Sequence, residues 1–327
     1  MRRPRSPWTQ EQAVPMANTV KSRLYDPLTP LIAVFCVLWS SAFAVAKLAL
    51  LDCPPLLLVT ARFLLAGVLV LAIAAMRPAP WRLGGRDTIV FGLLGLANNA
   101  LYLGLNHVGM QSISAGLAAL IGSANPVLTA VLAGVFLGER MTWRRASGLF
   151  LGVAGVAFIV EGRISSGSDA AAGVVLALLA LVALVSGTIL FKRLAPNGEL
   201  WIGNGIQNLT GGLALLPFAF GFESIHAIVP TWRLLAALAY TVLLVSVLAY
   251  LLWFHLLTVL GAGTASAFHF LMPVLGLFFG WLLLDEHIAW HDLVGILPVA
   301  LGIYLATRPD AAMGKNLGNG GTGFSAR

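Results

Sequence analysis

Long apolar stretches alternate with short polar segments along most of the chain. A helix needs about 20 apolar residues to cross the hydrocarbon core of a bilayer, and the sequence provides that length repeatedly. The pattern predicts an all-α membrane protein with ten transmembrane helices. The seventh is the weakest, because Asn204, Gln207 and Asn208 dilute its first half. The predicted helices cover residues 31–50, 54–76, 88–109, 113–137, 143–160, 173–191, 202–220, 233–257, 264–284 and 292–306.

Composition indicates the same class of protein. Hydrophobic residues make up 59% of the chain, charged residues make up 10%, and the mean hydropathy is +0.89. Soluble globular domains carry far more charge. The formal net charge of +7 comes from cations scattered at the ends of the apolar stretches. We therefore predict a lipid bilayer, and no nucleic acid, as the partner.

Lys and Arg concentrate in alternate connecting segments. They precede the first predicted helix and follow the second, fourth, sixth and tenth, whereas the opposite connections hold only Arg163 and Arg233. Because cytoplasmic loops retain cations, both termini are predicted to be cytoplasmic and the protein to lie in a bacterial inner membrane. Ten helices satisfy this alternation, and losing the seventh would break it.

The second half of the chain repeats the first. A shift of 147 residues superposes Pro126 on Pro273, Glu139 on Glu286, Trp143 on Trp290, Gly148 on Gly295 and Gly155 on Gly302. Each half holds five predicted helices, an odd number, so the second copy must lie inverted in the membrane. Inverted repeats are typical of transporters. The predicted halves are residues 31–160 and 170–307, flanked by disordered tails at 1–30 and 308–327.

Several short motifs stand out within the predicted helices and at their ends. They are Trp39-Ser40-Ser41, Arg62, Pro126-Val127 with Gly138-Glu139-Arg140, and Pro273-Val274 with Asp285-Glu286. With these motifs the chain resembles the drug/metabolite transporter superfamily, in its ten-helix EamA-type branch. The resemblance implies a duplicated five-helix bundle with a central cavity, alternating access, and export of amino acids, other metabolites or drugs. The sequence departs from the family at Ser40 and Asp285, where Gly is frequent.

Polar side chains inside the spans mark candidate transport residues, because they are costly in lipid and normally face a cavity or another helix. In the third helix Asn99, Tyr102 and Asn106 follow a 3,4 spacing with Asn98 beside them. This predicts one polar stripe facing the cavity. Hydrogen bonding between helices is the alternative.

The ninth helix carries Ser266, His269 and Pro273 on one face. We expect Ser266 and His269 to line the cavity, and the His could act as a proton switch near neutral pH or make a structural hydrogen bond. A proline inside a helix frees a carbonyl and kinks the helix. Pro273 and its repeat mate Pro126 are therefore predicted hinges, with a static kink as the alternative.

Aromatic residues and one cation complete the predicted substrate cavity. Tyr250 and Trp253 lie one turn apart and, with Trp39, could stack on a substrate, or they could belong to the core or to the interfacial aromatic belt. Arg62 lies well inside the second helix. It could bind a substrate carboxylate, but capping of backbone carbonyls or pairing with Asp52 is the favoured interpretation from sequence.

The function predicted is export of amino acids or similar small metabolites, with a drug, sugar or nucleotide-type substrate as the alternative. A membrane enzyme is a weaker alternative, because His287 and His291 stand four apart without the Glu of a zinc hydrolase. No cofactor or metal is predicted.

No Asp or Glu lies in the middle third of a predicted span, which leaves facilitated diffusion, exchange or His-based coupling as the mode of transport. One copy suffices to form a cavity, and a dimer is left open.

Overall fold

The described part of the chain forms ten helices. The computed structural model describes residues 14–76, 83–137, 142–194, 200–253, 255–256, 259 and 268–307, and within them there is no β-strand. The helices are α1 (Val14–Leu50), α2 (Pro55–Ala75), α3 (Gly85–Gly109), α4 (Ala115–Ser123 and Asn125–Leu137), α5 (Trp143–Ser165), α6 (Ala171–Leu194), α7 (Leu200–Phe222), α8 (Trp232–Trp253), α9 (Phe268–Leu271 continuing as Met272–Leu284) and α10 (Trp290–Thr307).

The predicted all-α membrane fold is confirmed. Six of these helices, α1, α2, α3, α5, α6 and α8, are long and apolar enough to cross a bilayer, and α4, α9 and α10 contain shorter apolar segments. The seventh helix, the weakest prediction, is a continuous 23-residue helix. Its polar side chains at Asn204, Gln207 and Asn208 are buried inside the bundle, so its lower hydropathy carries no cost against lipid.

Several helix bounds differ from the sequence prediction. The first helix begins at Val14, well before the predicted start at residue 31, and it runs through Pro27 and Pro30. The fifth helix continues to Ser165. The third and eighth helices each contain a π-helical segment, Gly95–Leu103 and Tyr240–Ala249, which the apolar pattern did not predict.

The contacts between α5 and α10 show how the two halves are related. A Cβ on Gly302 would lie 2.5 Å from the carbonyl oxygen of Gly148, and a Cβ on Gly155 would lie 2.8 Å from the carbonyl oxygen of Gly295. The repeat shift converts Gly148 into Gly295 and Gly155 into Gly302. The two contacts are therefore one contact seen from each half, as a two-fold axis requires.

Glycine also permits close packing of α2 on α7, which are the second helices of the two halves. Each contact places a leucine of one helix against a glycine of the other, so a Cβ on the glycine would meet the leucine side chain at 3.0 Å or less. Small residues give the close backbone approach on which helix association in lipid depends. The contacts are Leu64 with Gly212, Gly67 with Leu209, and Leu71 with Gly205.

One end of the bundle is closed by polar contacts between loops. We call it the capped end and define it by the connections 51–54, 110–114, 166–170, 223–231 and 285–289. Two backbone hydrogen bonds join these loops, from Val229 N to the carbonyl oxygen of Asp52 at 2.8 Å and from Ala170 N to that of Ser112 at 3.0 Å. The first of them links the two halves of the chain.

Candidate functional site

Arg62 is a buried cation at the centre of the bundle. It sits on α2 with only 6% of its surface exposed, and its Nε donates a hydrogen bond to the hydroxyl of Ser246 on α8 at 3.3 Å. The hydroxyls of Tyr102 and Tyr250 are within electrostatic reach of the guanidinium. Among the described residues no carboxylate pairs with it. A buried cation without a carboxylate partner is electrostatically suited to an anionic ligand.

Aromatic rings from α1 and α8 form a wall beside this cation. The ring of Trp39 lies 5.5 Å from that of Tyr250 and 5.4 Å from that of Phe35. Phe35 in turn stacks on Trp253 at 5.5 Å. The structure thus brings together three residues predicted for the substrate cavity, Trp39, Tyr250 and Trp253. Their rings offer an apolar surface with π-faces.

Tyr102 joins the site from α3. Its hydroxyl would lie 3.7 Å from a Cβ on Gly122, and the ring of Phe43 would lie 3.4 Å from the same atom, so α1, α3 and α4 meet here. We define the Arg62 site as Trp39, Arg62, Tyr102, Ser246 and Tyr250. It combines a guanidinium, two phenols, a hydroxyl and an indole, contributed by four different helices.

The predicted polar stripe on α3 is wrong as a single stripe. Hydrogen bonds in the π segment run from i to i+5, so the 3,4 spacing of an α-helix no longer places these side chains on one face. Asn99 points to α7 and is 3% exposed, whereas Asn98 packs on α6, where a Cβ on Gly187 would overlap its side-chain oxygen. Tyr102 belongs to the Arg62 site.

The two asparagines at the ends of the expected stripe have partners of their own. Asn99 exchanges hydrogen bonds with Gln207 at 2.9 Å and Asn208 at 3.1 Å, which is the interhelical alternative at this position. Asn106 is buried, and its amide donates to the sulfur of Met110 at 3.2 Å. Asn98 keeps a buried side-chain oxygen without a hydrogen-bond partner in the described part of the chain.

Both predicted hinge prolines lie at helix breaks. The fourth helix is interrupted at Ala124, immediately before the segment that contains Pro126. The ninth changes from a 3-10 turn, Phe268–Leu271, to an α-helix that begins at Met272 with Pro273 in its first turn. Ala124 and Leu271 are equivalent under the repeat shift. The breaks therefore occur at the same place in both halves, while movement at these prolines stays a prediction.

Two predicted residues lie outside the described part of the chain, namely Ser266 and the side chain of His269. Sequence reasoning also missed a second intramembrane His. His107 on α3 is 2% exposed, its Nδ1 lies 2.8 Å from the carbonyl oxygen of Leu103, and Arg62 is within electrostatic reach. Its place near the predicted end of the helix concealed it, and Ser246 gave no signal beyond one hydroxyl in an apolar stretch.

The sequence alternative that paired Arg62 with Asp52 is wrong. Asp52 lies in the capped end, where Arg233 and Thr231 hydrogen-bond its carboxylate. These hydrogen bonds lower the pKa of Asp52. Nearby, the carboxylate of Glu223 accepts from the amide nitrogens of residues 56 and 57 at 2.9 and 2.8 Å, which caps the start of α2.

A second polar cluster in the capped end joins α5 to α10 and joins the connection after α9 to the start of α4. Arg163 on α5 binds Asp292 on α10 at 2.8 and 2.9 Å and Asp169 at 3.1 Å. The Glu286 carboxylate accepts from the amide nitrogens of Ala115 and Gly116 at 2.5 and 2.9 Å. Glu286 thus forms an inter-repeat cap on α4. Its repeat mate Glu139 lies outside the described residues.

A metal centre finds no support in the part of the chain that the structure describes, where no three His, Cys, Asp or Glu side chains converge. The His287–His291 pair, proposed from sequence as the best alternative for an enzyme, does not form one. His291 packs against Gly162 of α5, and its Nε2 lies 3.7 Å from the carboxylate of Asp292.

Known proteins match nearly the whole bundle. The profile of the EamA-like transporter family matches residues 29–161 and again 171–308. The chain is 30% identical over 287 residues to the uncharacterized transporter YvbV of Bacillus subtilis (strain 168), covering 86% of this chain and 92% of that protein. It is 26% identical to the probable amino-acid metabolite efflux pump of Escherichia coli (strain K12), covering 82% and 91%. A solved crystal structure, 18% identical, superposes with a TM-score of 0.62 over 86% of this chain and 97% of its own.

Proposed function

Because this chain belongs to the EamA-like transporter family and is a multi-pass membrane transporter, not an enzyme, we propose that it exports amino acids or similar small metabolites by alternating access. The substrate binds in the Arg62 site, with its carboxylate on the guanidinium. The observation that carries this proposal is the buried Arg62 itself, which has no carboxylate partner among the described residues.

The electrostatics of the site favour a substrate that carries a carboxylate group. A buried charge without a counter-ion is costly, and an anion that enters the site removes part of that cost. The Nε of Arg62 is held by Ser246, so its two Nη groups remain for a planar, bidentate contact with a carboxylate. A neutral sugar can accept hydrogen bonds from this group but brings no counter-charge, and a cationic drug is repelled by it.

The aromatic wall supports a substrate with an apolar side chain. The ring of Trp39 lies against that of Tyr250, and Tyr250 is within electrostatic reach of Arg62, so a ligand whose carboxylate meets Arg62 can place an apolar group on these rings. A small amino acid has this division into a charged head and an apolar tail. The Escherichia coli relative is described as a probable amino-acid metabolite efflux pump, which is the same chemical class.

Alternating access is supported by the inverted halves. The repeat-equivalent breaks before Pro126 and Pro273 divide α4 and α9 into shorter rods that can reorient with little loss of packing. The first rod of α4 and the second of α9 pack together, with Ala119 against Gly276. In this proposal, these paired rods rock around the Arg62 site and expose it to each side in turn.

We also propose that both termini are cytoplasmic and that the membrane is the bacterial inner membrane. The Lys and Arg distribution supports this orientation, which places the capped end on the periplasmic side. Single cysteines tested with a membrane-impermeant maleimide in intact cells report it. Labelling at residue 226 in the capped end and protection at residue 84 support the orientation, and the reverse pattern contradicts it.

The transport proposal is tested by flux into proteoliposomes. Labelled L-leucine, L-phenylalanine and L-threonine are compared with their carboxamides, in the presence and absence of a pH gradient. We expect flux of at least one amino acid above that of empty vesicles, with its carboxamide transported poorly. Equal flux of an acid and its amide contradicts carboxylate recognition, and no flux of any acid by folded protein contradicts amino-acid export.

A further inference from the structure

Four buried amide side chains form a hydrogen-bonded chain between α3 and α7. Asn99, Asn204, Gln207 and Asn208 are between 2% and 8% exposed. Gln207 donates to Asn99 at 2.9 Å, Asn99 donates to Asn208 at 3.1 Å, and Asn208 donates to Asn204 at 2.9 Å. Each amide thus donates in the same direction, an arrangement in which every bond polarises the next.

This series of hydrogen-bonded amides ends at Ser246 on α8. The side-chain nitrogen of Asn204 donates to the backbone carbonyl of Ser246 at 3.3 Å, while the hydroxyl of the same residue accepts from Nε of Arg62 at 3.3 Å. Hydrogen bonds therefore lead from Gln207 to the backbone of Ser246, whose side chain in turn contacts the guanidinium. Three of the four amides, Asn204, Gln207 and Asn208, are the residues that made the seventh helix the weakest membrane span in the sequence.

We infer that this amide chain, the set Gln207, Asn99, Asn208 and Asn204, is a positioning device for Arg62 that acts through Ser246. The inference rests on the proposed function, because the position of Arg62 matters only if it binds the substrate. An arginine side chain has several free torsions, and holding its Nε leaves the two Nη groups aimed in one direction. Preorganisation of this kind lowers the cost of binding.

The hydroxyl of Ser246 meets Arg62 from a π-helical part of α8. Ser246 and Thr241 both lie in the π segment Tyr240–Ala249. The Thr241 hydroxyl donates to the carbonyl oxygen of Ala237 at 2.9 Å, as a Ser or Thr in a helix commonly does, and the Ser246 hydroxyl accepts from Nε of Arg62. π segments are frequent at functional sites.

The repeat supports the same assignment. A shift of 147 residues superposes Asn99 on Ser246, and each lies within a π segment, Gly95–Leu103 or Tyr240–Ala249. Both contact the asparagines of α7, Asn208 and Asn204 respectively. The helix α7 thus contacts equivalent positions of the third and eighth helices. The guanidinium on α2 is therefore positioned by contacts that involve both halves of the bundle.

Transport kinetics of the full-length protein in proteoliposomes test this inference. The probe is whichever of L-leucine, L-phenylalanine and L-threonine gives the highest flux with the wild type. Ser246→Ala is expected to raise its KM about threefold to tenfold, within the range for loss of a typical hydrogen bond, with the maximal rate within about twofold of wild type. Ser246→Thr, which keeps the hydroxyl, should restore the wild-type KM. Thr241→Ala removes a buried hydroxyl from the same helix without touching Arg62 and should leave KM unchanged.

A second variant tests whether the amides act on Arg62 from farther away. Asn208→Leu interrupts the hydrogen-bonded amides two bonds away from Ser246, and it is also expected to raise KM. If Asn208→Leu lowers only the amount of folded protein and leaves KM unchanged, the chain is structural and the inference fails. A wild-type KM in Ser246→Ala, together with a raised KM in Arg62→Gln, overturns the positioning role alone. An unchanged KM in Arg62→Gln overturns the proposed function as well.

Discussion

The carboxylate of Asp52 binds the guanidinium of Arg233 at two points, with 2.6 Å between Oδ1 and Nη2 and 2.8 Å between Oδ2 and Nε. The hydroxyl of Thr231 donates to the same Oδ2 at 2.6 Å. The contact joins the connection after α1 to the start of α8, and so links the two halves. It also occupies the acidic residue that the sequence offered as a partner for Arg62.

This contact predicts a pH dependence of stability. Hydrogen bonds from Arg233 and Thr231 lower the pKa of Asp52 from its ordinary value of 3.8. A lowered pKa in the folded state means that the carboxylate stabilises the fold above its pKa in the unfolded chain, and that this stabilisation is lost as the pH falls through the folded pKa. Between pH 7 and pH 3, the Tm of the wild type in detergent should fall more than that of Asp52→Asn. Parallel decreases would contradict this role for the carboxylate.

The two-fold contact between α5 and α10 predicts matched effects in the two halves. A Cβ on Gly155 or on Gly302 would meet backbone carbonyl oxygens of the opposite helix at 2.8 and 2.5 Å. Overpacking of this kind costs about 1–3 kcal/mol, so Gly155→Ala and Gly302→Ala should each lower the Tm by similar amounts. Gly221→Ala on α7 is the control, since a Cβ there meets nothing within 4 Å. A Tm of Gly302→Ala equal to that of wild type would contradict the packing.

Asp285 has a backbone conformation that glycine adopts most readily. It ends α9 in the left-handed region with φ of 54°, which costs less for Gly than for any other residue. Asp285→Gly should therefore raise the free energy of unfolding by about 1 kcal/mol, whereas Asp285→Ala should lower it. Thermal unfolding of the three proteins checks the order, and a Gly variant less stable than wild type would refute it.

Glu286 is expected to stabilise the capped end through its two hydrogen bonds to the start of α4. Glu286→Ala leaves the amides of Ala115 and Gly116 without this acceptor, at a cost of about 1–3 kcal/mol. Gly280→Ala should have a similar effect by another route, because its Cβ would overlap the Glu286 carboxylate. In the double variant the two losses should not add. Additive losses would show that Gly280 acts independently of Glu286.

The apolar pattern was sufficient for the helices and the repeat, because lipid imposes the length and composition of each span. It was insufficient for the site. The 3,4 spacing that grouped Asn99 with Tyr102 assumes an α-helix, and the π segment of α3 turns these side chains toward different neighbours. The partner of Arg62 was equally hidden, since Ser246 carries no charge or motif and becomes visible only through its 3.3 Å contact.

The measurement that tests the central claim most directly is the transport selectivity of Arg62 variants between an amino acid and its carboxamide. Arg62→Gln removes the charge and Arg62→Lys keeps it without the planar fork, so we expect the preference for the acid to be lost in the first and weakened in the second. Flux above empty vesicles in both variants, with this graded loss of preference, is the result that carboxylate binding at Arg62 predicts. An undiminished preference for the acid in Arg62→Gln would contradict it.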